Sequence, residues 1–242
     1  MPLPELSDIH RRYLVLSRIA REDFAGNLGG KLLFRSRFDT AGTAVVLAGS
    51  IAGAASLCVD SDGTALRQGL RSGLCDFVVA NLDEALRILK NEVRRGLPVC
   101  VSVTADPMDC IAAMIGRGVQ PDLLSPESGG ADPSGIFAER GALLLPDDDG
   151  VEPETSLLGW SVAADAARTM PQIGRIAAEV LDPSRTDTPA RRRWLEQSPR
   201  YLGRTFGAHQ CLRTSNAETV AFLNRVQSEV PGVKIQRNGA VV

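Results

Sequence analysis

Aromatic residues make up only 5% of this 242-residue chain, and there are just two histidines, His10 and His209. So few flat rings leave little on which single-stranded bases could stack. Neither sign of charge is in excess: 27 Lys and Arg stand against 29 Asp and Glu, a net charge of -2. That balance speaks against a nucleic-acid binder, which presents a basic surface. No run approaches the ~20 uninterrupted apolar residues needed to span a bilayer, so no membrane association is expected. The opening "MPLPELSDIHRRYLVL" carries acids and no long apolar core, so no secretory leader is expected either. The five cysteines, Cys58, Cys75, Cys100, Cys110 and Cys211, form no C-x-x-C pair. An odd count without metal spacing predicts reduced thiols, no metal site and a cytoplasmic setting.

What is present is a regular alternation. Ser7 or Asp8 is expected to cap a first helix that runs to about Phe24, with Ile9, Tyr13, Leu16, Ile19 and Ala20 on its apolar face. That face leaves His10 on the solvent side. Strand-like runs then alternate with helical ones. The strands are "KLLFRS", "ASLCVD", "CDFVVA", "PVCVSVT", "DLLS" and "GALLLP". Between them lie a small-residue helix at about 40–54, "GTALRQGLRSG", "NLDEALRILKNEVRRG" and "PMDCIAAMIGRG". Asn81, with Glu84 three residues later, marks one helix start, Gly96 its stop, and Pro107 the first turn of the next helix. Apolar runs without alternation imply strands buried on both faces. The fold class read from this is α/β, a doubly wound, mostly parallel sheet with helices on both faces.

The character changes at "PDDDGVEPE", a solvated loop by composition, so a first domain is placed at 1–145 and a C-terminal extension at 146–242. The extension reads as a long helix over about Ser161–Leu181 with Pro171 inside it. A basic connector, "DPSRTDTPARRRWLEQSPRYLGR", follows with room for one short helix. A β-α-β tail ends the chain: "HQCLRT", "NAETVAFLNRVQSEV", "VKIQRNGAVV". The tail either joins the main sheet or stands apart. Arg191–Arg193 beside Trp194 reads as one solvated helix face, with partner docking as the alternative. His209 and Cys211 fall on one face of a strand, the spacing of a nucleophile pair, although a cysteine in an apolar strand is more often core.

The stretch "RFDTAGTAVVLAGSIAGA" joins the first strand to the small-residue helix. A helix start there offers free N–H groups and a positive dipole end to a phosphate. Asp60, about 20 residues on at the end of the next strand, suits ribose hydroxyls. Asp39 opposes this reading, because its carboxylate can cap the helix and fill the anion seat itself. Arg35 and Arg37 can either neutralise Asp39 or hold a phosphate.

The blocks "DFAGNLGGKLLFR", "AGSIAGAASLCVD", "LDEAL", "GRGVQPDLLS" and the dipeptide Asp132–Pro133 keep an order and spacing similar to those of urocanase (urocanate hydratase) over about residues 20–140. The resemblance implies a Rossmann-like domain, an NAD cofactor that acts as an electrophile toward imidazole, a homodimer, and hydro-lyase chemistry. Position by position, the family's Gly-Met-Gly turn falls on Thr40, Ala41 and Gly42, with the glycine before it on Asp39. Its acidic ribose ligand falls on Asp60, and the arginine after that on Ala65, close to Arg67. Its Asn-Ala pair falls on Asp106 and Pro107. Its Gln-Thr-Ser-Ala-His segment falls on Glu127, Ser128, Gly129, Gly130 and Ala131. These replacements add carboxylates around a seat for two phosphates. The family's catalytic cysteine has no counterpart motif in the last hundred residues.

Three readings stand open at this point. One is a stand-alone urocanase-like domain that binds a small molecule or nucleotide at a degenerate NAD site lined by Arg35, Arg37, Asp39, Thr40, Asp60, Asp106 and Glu127–Ala131. Another is a urocanase-type enzyme completed by a partner chain. The last is a non-catalytic scaffold.

Overall fold

The computed structural model describes residues 2–126, 135–146, 155–238 and 240–241. The chain divides into two compact units, Met1–Asp149 and Gly150–Val242.

The first unit is built on six parallel strands: β1 (Leu32–Arg35), β2 (Ala55–Asp60), β3 (Phe77–Val79), β4 (Cys100–Thr104), β5 (Leu123–Ser125) and β6 (Leu143–Leu144). Their order in the sheet is β3-β4-β2-β1-β5-β6. The helices α1 (Leu6–Asp23), α2 (Thr40–Ala52), α3 (Gly63–Arg71), α4 (Leu82–Arg95), α5 (Pro107–Gly116) and α6 (Gly135–Glu139) complete it. This is the doubly wound α/β arrangement expected from the buried apolar runs. The winding reverses between β1 and β5. The chain leaves β1 toward β2 on one side and returns through β5 on the other. Such a reversal opens a crevice at the carboxyl ends of those strands.

Alternate residues of β1 serve opposite faces. Leu32 and Phe34 join one core with Leu57, Val101, Val103, Leu89 and Met114, in which Phe34 meets Phe137 edge-on at 5.7 Å. Leu33 faces α2, where Gly49 brings the helix close: a Cβ there would stand 3.0 Å from Leu33 Cδ2. The small residues of α2 have a second use. The helix is buried from Gly42 to Ala52, because α1 packs on its outer side. α1 therefore buries a wider face than its apolar stripe indicates. His10, expected on the solvent side, is only 1% exposed. The start of α1 also differs from expectation. Neither Ser7 nor Asp8 caps it; Glu5 holds the N-cap position without a side-chain bond to the backbone, and Ser7 Oγ donates to the Glu5 carboxylate.

The second unit has its own antiparallel sheet, ordered β10-β9-β7-β8. Its strands are β7 (Thr155–Ser161), β8 (His209–Ser215), β9 (Lys234–Arg237) and β10 (Ala240–Val241), and its helices α7 (Ala166–Glu179), α8 (Thr188–Phe206) and α9 (Asn216–Glu229). β8 and β9 lie on either side of β7 and run parallel to one another, joined by α9. Two expectations fail here. The long helix begins at Ala166 rather than Ser161, because Thr155–Ser161 is the central strand, with Ser156, Leu158 and Trp160 buried in alternation. The basic connector is mostly the 19-residue α8, which turns one face inward. Arg191 and Trp194, expected on a solvated face, are 1% and 0% exposed. Arg191 donates to Glu218 at 2.7 Å and Trp194 Nε1 to the Cys211 carbonyl at 2.7 Å.

Candidate functional site

β1 ends in Arg35, which is 2% exposed although it carries a full charge. Its guanidinium lies across the winding reversal. Nη1 donates to the carbonyl and hydroxyl of Ser125, both at 3.3 Å, and to the Pro126 carbonyl. Nε donates to the Arg37 carbonyl at 3.2 Å. Nη2 donates to the two carboxylate oxygens of Asp39 at 3.2 and 3.4 Å. A rigid fork of donors is thus matched almost group for group by the protein's own oxygens.

Asp39 is the N-cap of α2, its backbone extended and its Oδ1 accepting from the Gly42 N–H at 2.7 Å. It places a negative charge at the positive end of the helix, where a bound anion would otherwise gain. Gly42 is required by this turn itself, since a side chain there would collide with the Arg37 carbonyl oxygen. Thr40 and Ala41 form the first turn of α2, Ala41 on its exposed side. The Arg37 side chain is exposed.

Asp60 ends β2 and holds two backbone N–H groups. Oδ2 accepts from Phe38 and Oδ1 from Asp62, each at 2.9 Å. The first bond clamps the turn after β1 onto the end of β2. The Phe38 ring, 1% exposed, then packs over Gly69 of α3. Asp62 caps α3 through the N–H groups of Thr64 and Ala65. Asp106 caps α5 through those of Met108 at 2.8 Å and Asp109 at 3.2 Å. Asn81 caps α4 through that of Glu84 at 2.9 Å. The helices that follow β1, β2, β3 and β4 therefore all start on a side chain of the chain itself, and three of the four are aspartates.

The fold and the crevice have the form of a dinucleotide-binding domain, and residues 9–137 match the urocanase profile described as the urocanase Rossmann-like domain. The chain belongs to the urocanase family. In that family the Rossmann-like domain is associated with NAD, and the residues at this crevice differ in what they offer such a cofactor. A pyrophosphate needs donors at the winding reversal and a helix start without a negative charge. Arg35 has its donors engaged by Ser125, Pro126, Arg37 and Asp39, and the α2 start carries Asp39. The ribose position, Asp60, has both oxygens engaged by backbone.

The structure thus joins Arg35, Asp39 and Gly42 in one hydrogen-bonded group and ties Asp60 to the same turn through Phe38. Asp106 follows β4, the strand next to β2, and its side-chain bonds go to the start of α5. Glu127, Ser128, Gly129, Gly130 and Ala131 lie outside the described residues. Ser125, Phe38 and Asp62 were not legible as parts of the crevice. Phe38 carried a signal, an aromatic residue within a polar turn. Ser125 carried none, as it meets Arg35 from 90 positions away.

The pairing of His209 with Cys211 does not make a nucleophile. His209 is exposed and directs Nδ1 to the Phe206 carbonyl at 2.8 Å. Burial pushes the Cys211 thiol far up, against a smaller opposing effect of Arg213, so the thiolate is suppressed. All five cysteines are buried and none is joined to another by a disulfide.

Proposed function

We propose that this protein is a binding member of the urocanase family whose dinucleotide seat is closed by Arg35 and Asp39. In this reading the carboxyl edge of the sheet takes a small polar or cation-bearing molecule in place of NAD, and the chain does not hydrate urocanate. The observation that carries it is the engaged Arg35 fork with Asp39 on the start of α2. A phosphate arriving there meets a carboxylate and a guanidinium whose donors already have oxygens. The further carboxylates of Asp60, Asp62 and Asp106 along the same edge favour positive over negative ligands.

The experiment is calorimetric titration with NAD+, with mass spectrometry of the purified protein for carried-over cofactor. Wild type should give no saturable heat at about 1 mM NAD+. Asp39→Gly frees the Gly42 N–H and leaves Arg35 without its counter-ion, so it should gain measurable affinity for NAD+ or for pyrophosphate. As a cap, glycine costs only a few tenths of a kcal/mol, and Arg35 keeps its bonds to Ser125, Pro126 and Arg37, so the variant should fold. Cofactor found in the purified wild type, or tight binding by it, would sink the proposal.

A further inference from the structure

The second unit contains a partly open cavity of about 400 Å³ between α7, α8 and the ends of β7 and β8. That is the size range of sites for small organic molecules. Its wall is largely apolar, with Met170, Ala178, Leu195, Leu202 and Trp160 lining it. It lies outside the residues that match the family, and nothing about the NAD crevice bears on it.

Two features mark it as more than a packing defect. The first is Trp160, which is 3% exposed and rests against Phe222 with ring centroids 5.3 Å apart. Its indole N–H is buried and has no hydrogen-bond partner among the described residues. Buried donors are almost always paired, and leaving one unmade is unfavourable. The other buried polar groups of the wall are satisfied. Gln210 Nε2 donates to Ser198 Oγ, which donates to the Trp194 carbonyl at 2.6 Å, and Gln210 Oε1 accepts from the Cys211 N–H at 3.0 Å.

The second feature is the pair Gly174 and Gly203, one inside each of the two lining helices. Glycine weakens a helix interior, and it is commonly retained where backbones must touch. Here neither glycine has any atom within 4 Å of the Cβ it lacks. Gly203 is exposed and its open side faces solvent, whereas Gly174 is half-buried in the cavity wall and leaves room there.

We propose that this cavity is a binding site for a small, largely apolar molecule carrying one hydrogen-bond acceptor, a carbonyl or carboxylate, received by the Trp160 N–H. The apolar body fills the space beside Gly174, and a small turn of the indole brings its N–H, closed to solvent in this structure, onto the acceptor.

The test uses the full chain with acetophenone and ethylbenzene, which share a ring and differ in the acceptor, each titrated to about 1 mM and followed by the indole N–H signals in 15N–1H NMR. Acetophenone should shift the Trp160 signal saturably and leave that of Trp194, already bonded to Cys211, in place. Ethylbenzene should bind at least threefold more weakly. Trp160→Phe should remove the difference between the two probes, and Gly174→Leu, which meets open space and improves helix propensity, should abolish binding of both. Failure of both probes to bind wild type, or binding that survives Gly174→Leu, overturns the site. Equal binding of the two probes overturns the role of Trp160. Should Trp160→Phe fail to fold, the Gly174→Leu variant and the probe comparison in wild type decide alone.

Discussion

Asp39 does two things at once: it caps α2 and it balances a guanidinium that is almost wholly buried. Asp39→Ala removes both and should lower stability by about 1–2 kcal/mol, read as a shift of the urea midpoint with an unchanged slope. Asp39→Asn retains an oxygen for the Gly42 N–H and should recover much of the loss. Gly69→Ala tests the other clamp on the same turn. Its Cβ would run into the Phe38 ring, so we expect about 1–3 kcal/mol of destabilisation. Phe38→Leu in the same chain should relieve part of it, a coupling that a double-mutant cycle measures directly. The capping role of Asp39 was legible, because an aspartate three residues before a glycine at a strand-to-helix turn has few other uses. The partners of Arg35 were not. A guanidinium finds its oxygens through the tertiary fold, and no local pattern connects residue 35 to Ser125.

Among the elements, α8 shows where a polar sequence misleads. Its run of arginines reads as solvent-facing, yet Arg191 is inside, bonded to Glu218 and, at 3.1 Å, to Asp187. Glu218 also accepts from the backbone N–H groups of Asp182 and Ser215, both at 2.8 Å, so α8, α9 and the segment before α8 share one carboxylate. Burial alone would raise the Glu218 pKa. The bonds from Arg191, Asp182 and Ser215 outweigh it and hold the group below its ordinary value of 4.5. A depressed carboxylate contributes stability that is complete above that ordinary value and is lost as pH falls below it toward the folded-state value. Denaturant midpoints should therefore drop on acidification below 4.5, and Glu218→Gln should lose that component of the pH dependence. Arg191→Met, which strands a buried carboxylate, should cost about 3–5 kcal/mol at neutral pH. β7 escaped the reading for a different reason. Its alternation is carried by Ser156, Leu158 and Trp160, and a buried serine does not register as apolar.

For the molecule as a whole, the parallel sheet of the first unit was written plainly in its sequence, since strands buried on both faces leave unbroken apolar runs. The antiparallel sheet of the second was written only in part, because β7, β8 and β9 are half-covered and carry polar residues on one face. The cysteines offer a test that spans both units. Burial raises the thiols of Cys75 and Cys110 to about 11 and pushes those of Cys58, Cys100 and Cys211 well above the ordinary range. At neutral pH a disulfide reagent should find almost no reactive thiol in the folded protein and five once it is unfolded. Prompt reaction of even one thiol under native conditions would show a unit opening locally.

Helices after four successive strands begin on the chain's own Asp39, Asp62, Asn81 and Asp106. A nucleotide-dependent domain leaves some of those amides to its cofactor and is less stable when the cofactor is scarce. Here each of those starts already carries a capping side chain of its own. The melting temperature should be indifferent to added dinucleotide, and the lifetime of the fold in a cell should not track nucleotide supply. On the proposed function, the sheet edge exchanges affinity for autonomy.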